Sequence, residues 1–430
     1  MMIILTMIVM MIVMSQASTL TKKAALALMT LLINFNAPSL MSNKLGYFMV
    51  MDALSFWILQ LTMWLMFIIM MMKTNATPSL SIMVFIMTLI LLITFTTWNF
   101  MMFYITFEAS MIVVVVMMVT WGYQPERAEA IMLMVIMTIA VSIPFLTSIM
   151  LNAHSISFWL MQTSLSITDY MSFMLVFAMK MPVFFLHSWL PKVHVESPVQ
   201  SSMLLAGVLL KLGSYGMIRT TTMTFVISKT FASLIISFGV WTSLVLSAVC
   251  LVQTDLKTII AYSSVVHMTM VMVAILMNKS QSVIGSIMVM LGHGMCSSGL
   301  FFMANTVYKT SKSRSVIISK GVLKTTPIMI MMWFWLCMGN APMPPSINIM
   351  GEFLTFSTIT NWNTLTYMIL VPLVILSSMY SIYLFYLMSH GHFTSMTSKI
   401  NPTTSKANLI VMLHLIPMLA MMMKPQMLMM

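Results

Sequence analysis

Three ionisable residues lie in the middle of long apolar stretches of this 430-residue chain. Glu108, Lys180 and Lys211 each stand many residues away from the polar ends of their stretch. If these stretches cross a membrane, each such charge costs about 2.5–3.5 kcal/mol on insertion scales. A snorkelling side chain or a structural polar pair is the alternative explanation. The central positions favour a functional role for all three residues.

Four histidines and a second glutamate extend this set. His267 and His293 are central in two later apolar stretches, and Glu352 follows a proline-rich interruption. His187 and His194 flank the end of an earlier stretch, where they could also be interfacial. A lone histidine in a membrane can simply bond to a neighbouring helix. The lysines and glutamates of the same chain favour a shared proton relay instead.

These residue types suit proton transfer better than hydrolysis or metal redox chemistry. Burial in a low dielectric weakens the hold of a lysine on its proton, and a nearby carboxylate restores that hold. At about 4 Å and an effective dielectric near 20, such a pair is worth about 4 kcal/mol, which is enough to switch a proton. Other charged residues lie at the ends of apolar stretches, where structure or topology explains them: Asp52, Glu126, Arg127, Asp169 and Asp255.

Other kinds of site are disfavoured. The three cysteines have no metal-ligand spacing, so we expect neither an iron–sulfur cluster nor zinc. No nucleotide-binding glycine motif occurs, and we expect no cofactor, metal or catalytic centre in this chain. The net charge of +12 lies largely in short loops, so topology explains it better than nucleic acid. The 60 methionines are spread as apolar filler, and this bias hints at mitochondrial coding.

The elements that must position these residues are membrane helices. The chain is 60% hydrophobic and 7% charged, whereas soluble domains carry about 25% charged residues. Apolar windows of about 20 residues predict an all-α polytopic protein with about fourteen transmembrane helices. They are 1–14, 24–35, 53–72, 80–97, 99–120, 129–151, 170–190, 199–221, 230–251, 257–277, 281–305, 326–360, 364–388 and 407–423. The first window lacks a basic leader and a cleavage site, so we expect it to be a mature helix.

Prolines interrupt the seventh and twelfth predicted helices, at Pro182 and between Asn340 and Pro345. Proline cannot continue a helix, and irregular backbone at this depth must face protein or a wet cavity. Two such interruptions five helices apart are typical of an inverted-repeat transporter. We therefore expect one membrane domain, 1–430, with repeat halves 80–221 (helices 4–8) and 230–388 (helices 9–13).

Charges in the predicted loops orient the chain. Loops that follow odd-numbered helices hold thirteen lysines and arginines, and those on the other side hold five. Because the more basic loops face the inside, both termini are predicted on the outer face.

Long motifs resemble a known family. They are the stretches 180–198 (KMPVFFLHSWLPKVHVESP), 209–216, 121–127, 254–264, 292–299 and 344–352. From about residue 45 to 390, the chain resembles the antiporter-like membrane subunits of NADH:ubiquinone oxidoreductase, respiratory complex I.

The resemblance implies fourteen helices with five-helix inverted repeats, a place in the distal membrane arm, and the mitochondrial inner membrane as location. Its expected partners are lipids and other membrane-arm subunits, including neighbouring antiporter-like subunits. With this location, the charge bias of the loops puts both termini in the intermembrane space. It implies that Glu108 pairs with Lys180, that Lys211 is the central relay and that Glu352 serves the exit side. The hydrated axis between them would hold His187, His194, His267 and His293. FMN, iron–sulfur clusters, NADH and ubiquinone are expected on other subunits, so this chain alone would have no oxidoreductase activity.

Two alternatives stay open. A subunit of a multisubunit sodium/proton antiporter would use the same fold and the same lysines, and the methionine bias argues against it. A structural membrane scaffold without transport would have no reason to bear the cost of buried charges.

Overall fold

The computed structural model describes residues 30, 43–44, 50–72, 78–122, 124–152, 166–223, 225–321, 326–391, 405–423 and 425. Apart from a short antiparallel pair, β1 (Asn43–Lys44) and β2 (Val50–Met51), regular structure in these residues is helical. This agrees with the predicted all-α membrane class.

Fifteen α-helices occur within the described residues. They are α1 (Ala53–Met71), α2 (Pro78–Thr96), α3 (Phe100–Trp121), α4 (Arg127–Leu151), α5 (Ile167–Lys180), α6 (Trp189–Glu196), α7 (Val199–Leu204), α8 (Leu210–Met223), α9 (Phe225–Val252), α10 (Leu256–Met277), α11 (Ser280–Ser311), α12 (Pro327–Asn340), α13 (Ile347–Trp362), α14 (Tyr367–Ser389) and α15 (Ser405–Met423). A π-helical turn, Leu205–Leu209, joins α7 to α8, and a 3-10 turn, Thr364–Thr366, precedes α14.

Ten helices of the described part are long and apolar enough to cross a membrane. Together with the broken seventh and twelfth helices, they correspond to twelve of the fourteen predicted spans. The first two predicted spans, 1–14 and 24–35, lie outside the described residues except for Thr30, which is helical. The prediction of a polytopic helical protein is confirmed.

The chain forms two compact units, one up to Val176 and one from Phe177 onward. In the first unit α2 packs between α1 and α3, and α4 packs on α3. Near the end of this unit, the ring of Phe173 lies 5.7 Å from that of Phe100 and 5.2 Å from that of Phe145. In the first unit, α3, the helix of Glu108, therefore packs against its sequence neighbours α2 and α4.

In the second unit α10 and α11 are the central helices. They pack on each other, and α13 packs against both. Nearly every residue in the apolar windows of α10 and α11 is buried, whereas most of the corresponding window of α14 is not. Because His267 lies on α10 and His293 on α11, the two histidines belong to enclosed helices of this unit.

Both predicted breaks are confirmed. Helix α5 ends at Lys180 and α6 begins at Trp189, while α12 ends at Asn340 and α13 begins at Ile347. The window 326–360 is thus one interrupted helix, as the prolines after Asn340 predict.

The backbone groups freed at the two breaks make matching hydrogen bonds. In the first break the N–H groups of Met181, Val183 and Leu186 donate to the carbonyls of Phe177, Ala178 and Val183. In the second break those of Ala341, Met343 and Ser346 donate to Cys337, Met338 and Met343. Each bond recurs 160 residues later, and α5 and α12 have 14 residues each. The position of Lys180 in this repeat is occupied by Asn340.

A side chain completes each break. The indole N–H of Trp189 donates to the carbonyl of Met179 at 3.3 Å, and the amide of Asn348 donates to the carbonyl of Gly339 at 2.9 Å. These two carbonyls are again 160 residues apart. The interruptions therefore keep their carbonyls satisfied inside the protein, which is what membrane depth requires.

One predicted boundary was wrong. The eleventh span was expected to end at residue 305, but α11 continues to Ser311 and holds Lys309 in its last turn. The charge of Lys309 favours a loop position in the sequence. Its long side chain can extend to the polar interface while its backbone stays helical.

Candidate functional site

Lys211 is the centre of the candidate site. It is the second residue after the π-helical turn, on a span whose apolar window is wholly buried, and only 1% of its surface is exposed. Its Nζ donates to the carbonyl of Ala206 and lies 3.0 Å from Nδ1 of His293. A π-turn inside an α-helix often marks a functional position. Here the side chain turns back to the carbonyl five residues earlier.

His293 continues the row from Lys211. If the ammonium of Lys211 donates to Nδ1 of His293, the ring hydrogen stands on Nε2. Within the described part of the chain, Nε2 is buried and accepts or donates no hydrogen bond. The ring of His267 is 5.6 Å away, measured between centroids. The open nitrogen of His293 is therefore available for onward transfer.

Glu352 forms the far end of the row. Its Oε1 lies 3.0 Å from Nδ1 of His267, and both side chains are largely buried. The hydroxyl of Tyr380 lies 3.4 Å from Nε2 of His267. A histidine that donates from Nδ1 to a carboxylate keeps a lone pair on Nε2, which the tyrosine hydroxyl can meet.

A close helix approach brings these residues together. A Cβ atom added to Gly292 would lie 2.0 Å from Oδ1 of Asn348, so only glycine fits between α11 and α13. Gly292 precedes His293, and Asn348 precedes Glu352 by one helical turn. The contact holds two members of the row, His293 and Glu352, on adjoining helices.

Taken along its length, the row runs from Lys211 through His293 and His267 to Glu352. Its links are 3.0 Å between nitrogens, 5.6 Å between ring centroids and 3.0 Å between nitrogen and oxygen. An imidazole can take up a proton at one nitrogen and release one from the other. The arrangement can therefore pass a proton from each of these groups to the next.

Lys180 lies beside the helix of Lys211. It is 3% exposed at the end of α5. A Cβ atom added to Gly213 would lie 3.0 Å from the Cβ of Lys180 and 2.9 Å from the side chain of Met181. Glu108 is half-buried on α3 in the first unit. The expected pairing of Glu108 with Lys180 stays a prediction.

The histidines on either side of the start of α6 differ in their surroundings. His194 is fully buried, with its ring stacked on Phe301 at 4.4 Å and 6°. His187 is half-buried, and its ring lies 5.3 Å from that of Phe184 and 6.1 Å from that of Tyr262. The hydrogen bonds of the described residues join neither histidine to Lys211.

Sequence reasoning missed a second buried group of charges. Nη1 of Arg314 lies 3.5 Å from Oε1 of Glu196. Nζ of Lys257 donates to the carbonyls of Val195 and Ser197 at 3.2 and 3.0 Å. Lys257 stands at a predicted helix end, and Glu196 and Arg314 stand in predicted loops. Charges are ordinary at such positions, so only the three-dimensional contacts reveal the cluster.

No set of three or more histidines, cysteines and carboxylates lies close enough to hold a metal among the residues that the structure describes. All three cysteines, Cys250, Cys296 and Cys337, are buried and reduced. The thiol of Cys296 donates to the carbonyl of Leu336 at 3.0 Å, so this cysteine supports the helix next to the second break.

Comparison with known proteins identifies a family and a fold. The model of a family described as NADH:quinone oxidoreductase/Mrp antiporter, TM, matches residues 97–379. NADH-ubiquinone oxidoreductase chain 4 of Ceratitis capitata is 36% identical over 386 residues, which cover 87% of this chain and 86% of the relative.

Two solved structures share the fold. One is respiratory complex I from Thermus thermophilus with bound NADH, with a TM-score of 0.89 at 20% identity over 98% of this chain and 95% of that chain. The other is the Mrp complex from Dietzia sp. DQ12-45-1b, with a TM-score of 0.86 at 15% identity over 99% and 93%. Both assemblies share the fold at 20% identity or less. The 36% identity over 87% of this chain is to a chain 4 protein. The sequence motifs also resemble chain 4 in particular, and the chain belongs to the NADH-ubiquinone oxidoreductase chain 4 family.

Proposed function

We propose that this chain translocates protons as a membrane-arm subunit of NADH:ubiquinone oxidoreductase in the mitochondrial inner membrane. The observation that carries the proposal is the buried row from Lys211 to Glu352. Electrons pass from NADH to ubiquinone on other subunits, which hold FMN and the iron–sulfur clusters. This chain contributes the proton-moving part of the enzyme and has no redox centre of its own.

Transfer along the row restores the charge of every residue. The ammonium of Lys211 gives a proton to Nδ1 of His293, and His293 releases one from Nε2 towards His267, directly or through one water molecule. His267 passes a proton from Nδ1 to Glu352, which releases it at the exit side. Lys211 then takes up the next proton. Each imidazole ends with its hydrogen on the opposite nitrogen, so its ring must turn over before the next proton passes.

Lys180 supplies the switch for this row. Its side chain packs on Gly213, two residues from Lys211. Two ammonium groups in a low dielectric repel strongly, so a proton held at Lys180 drives the proton of Lys211 onward. Glu108 stabilises the charge of Lys180 when the two are paired. Breaking and re-forming the pair of Glu108 and Lys180 determines when Lys211 releases its proton.

The two breaks support a pair of inverted repeat halves, 80–221 and 230–388. The repeat of backbone bonds over 160 residues is the supporting observation. Each half contributes one half-channel, and the row from Lys211 to Glu352 joins them. His187 and His194 belong to the hydrated axis of the first half.

The basic loops support an orientation. Arg314 lies in the loop that follows α11, on the side with thirteen basic residues. We place this side in the matrix, and both termini in the intermembrane space.

A sodium/proton antiporter subunit is the alternative function, because the Mrp complex has the same fold. The identity to chain 4 over most of the chain favours complex I. Purification in mild detergent decides the matter: we expect the other complex I membrane-arm subunits to accompany the chain. Recovery with antiporter subunits alone would support the alternative.

Replacing Lys211 by methionine tests the proton function. Methionine is apolar and of similar length, so Lys211→Met should insert and assemble while breaking the row at its first bond. We expect at least a tenfold loss of proton pumping at equal amounts of assembled complex, measured in reconstituted vesicles.

The matched control is Lys309→Met, because Lys309 is an exposed lysine in the last turn of α11. It removes the same charge outside the row and should leave pumping unchanged. An assembled Lys211→Met complex with the normal ratio of protons to electrons would overturn the proposed relay.

A further inference from the structure

The cluster of Glu196, Lys257 and Arg314 stands at one end of the central helices. Glu196 is the last residue of α6, Lys257 is the second residue of α10, and Arg314 lies three residues after α11. The side chains of Glu196 and Arg314 are 7% and 17% exposed, and Lys257 is 9% exposed. The cluster is enclosed, with Arg314 as its most accessible member.

Backbone bonds fix the Arg314 loop on the start of α10. The N–H of Leu256 donates to the carbonyl of Arg314 at 3.2 Å, and the N–H of Val316 donates to the carbonyl of Thr254 at 2.9 Å. Asp255 and Ser315 form an isolated antiparallel bridge between these two bonds. The loop therefore holds the guanidinium and the amine of Lys257 in a fixed relation.

Lys257 has the hydrogen bonds of a proton station. Its two carbonyl partners, on Val195 and Ser197, occupy two N–H groups. A neutral amine has two N–H groups and one lone pair, and an ammonium has three N–H groups. Both carbonyl bonds therefore persist in either state, and the third position is left to gain or lose a proton with little rearrangement.

His194 lies next to this station. It is on α6, between the break and Glu196, and directly precedes Val195, whose carbonyl accepts from Lys257. Its ring stacks on Phe301 of α11, the helix that carries His293. Within the described residues neither ring nitrogen of His194 has a hydrogen-bond partner, although the ring is fully buried. A buried imidazole with two open nitrogens can take a proton on one side and release it on the other.

We propose that Glu196, Lys257 and Arg314 form a proton-uptake port, in which Lys257 is the station that delivers protons to His194 and then to Lys211. The proposal rests on the proton-translocating function proposed above. A proton from water at the face of the Arg314 loop passes, with the help of Glu196, to the neutral amine of Lys257. The ammonium gives it to one nitrogen of His194, and the other nitrogen gives its proton to neutral Lys211. One proton enters at the face and one arrives at Lys211. The charges of Glu196, Lys257 and His194 are then restored, and His194 regains its starting tautomer when its ring turns over.

Arg314 has a positioning role in this port. Its guanidinium lies 3.5 Å from the carboxylate of Glu196, and its backbone carbonyl accepts from the N–H of Leu256, the residue before Lys257. Because a guanidinium does not release its proton in proteins, Arg314 is a fixed charge and not a station.

Lys257→Arg separates a relay from a structural role. Arginine keeps the positive charge and can donate to both carbonyls, but it cannot give up its proton. If Lys257 is a station, the assembled Lys257→Arg complex should lose at least tenfold in proton pumping. If Lys257 only ties α10 to α6, arginine should rescue pumping fully, and this result would overturn the port.

Lys257→Gln provides a second variant if arginine is too large to assemble. Its amide keeps N–H donors but carries no transferable charge, so the same tenfold loss is expected. Normal pumping by assembled Lys257→Gln would overturn the port. Failure of both variants to assemble would also count against it, because the lysine would then be needed for structure alone.

Two reference variants separate this proposal from the proposed function. Lys309→Met, outside both groups, should pump normally. If Lys211→Met fails while both Lys257 variants pump normally, the port is wrong and the relay stands. If Lys211→Met also pumps normally, the proposed relay is wrong and the port falls with it.

Discussion

At the scale of single residues, the direction of bonds in the row matters as much as the residue types. Nδ1 of His293 contacts Lys211, and Nδ1 of His267 contacts Glu352, so Nε2 of each ring is left for other groups. The hydroxyl of Tyr380 lies at one of these sides. The neighbours fix which ring nitrogen carries the hydrogen. A proton therefore passes more easily from Lys211 towards Glu352 than in the reverse direction.

The expected partnership of Glu108 and Lys180 is a prediction at this scale. Glu108→Gln removes the carboxylate that favours the charged lysine, so it should damage pumping about as much as Lys180→Met. Since both substitutions remove one interaction, the double variant should be scarcely worse than either single variant. A double-mutant cycle on pumping by assembled complex in vesicles measures this.

Strictly additive losses in that cycle would show that the two residues act independently. Thr120→Ala provides a control on α3, since Thr120 is exposed and bonds only to its own helix at 2.7 Å among the bonds that the structure gives. It should leave pumping unaltered.

The residues of the row were predictable from sequence, whereas those of the port were not. A lysine or histidine in the middle of an apolar stretch stands out because its burial is costly. Lys257 and Arg314 stand beside helix ends, where a charged residue needs no special explanation. Sequence alone does not bring the loop after α11 to the start of α10, and that meeting is what encloses the charges.

At the scale of elements, prolines made the interruptions predictable, and the enclosed helices α10 and α11 had long apolar patterns. The π-helical turn before Lys211 was not predicted. Its sequence, LAGVL, has no feature that distinguishes it from ordinary α-helix, since its geometry depends on packing. The length of α11 was underestimated because its final turns are polar.

Gly292→Ala tests the close approach of α11 and α13. The new methyl group would stand 2.0 Å from Oδ1 of Asn348, so the helices must separate or the amide must move. Overpacking of this kind costs about 1–3 kcal/mol. We expect a lower temperature of thermal dissociation for the complex, together with reduced pumping, because His293 and Glu352 shift apart.

Asn348→Ala in the same chain removes the amide that the methyl group meets. The double variant should therefore be less damaged than the sum of the two single variants. A simple sum would show that Gly292 and Asn348 are not in close contact.

At the scale of the whole molecule, the distribution of basic loops predicts which face meets the matrix. The native cysteines are buried, so a single introduced cysteine can report access from one side. Lys309 and Thr222 are both exposed, at the ends of α11 and α8. The predicted topology puts these two ends on opposite faces.

We expect a membrane-impermeant maleimide to label Thr222→Cys in mitoplasts and Lys309→Cys in inverted vesicles. The unmodified chain controls for labelling of native thiols. Labelling of Lys309→Cys in intact mitoplasts would reverse the orientation and move the uptake port to the intermembrane space.

The matching bonds of the two breaks have a consequence for the history of the chain. The two segments share a backbone pattern although their sequences differ, with Lys180 in one and Asn340 at the matching position of the other, as diverged copies of a duplicated ancestral segment would. The backbone geometry is common to both segments, whereas the ionisable side chain at this position is present in only one. Evolution could therefore relocate an ionisable group within this scaffold by exchanging one side chain, without redesigning the helix that carries it.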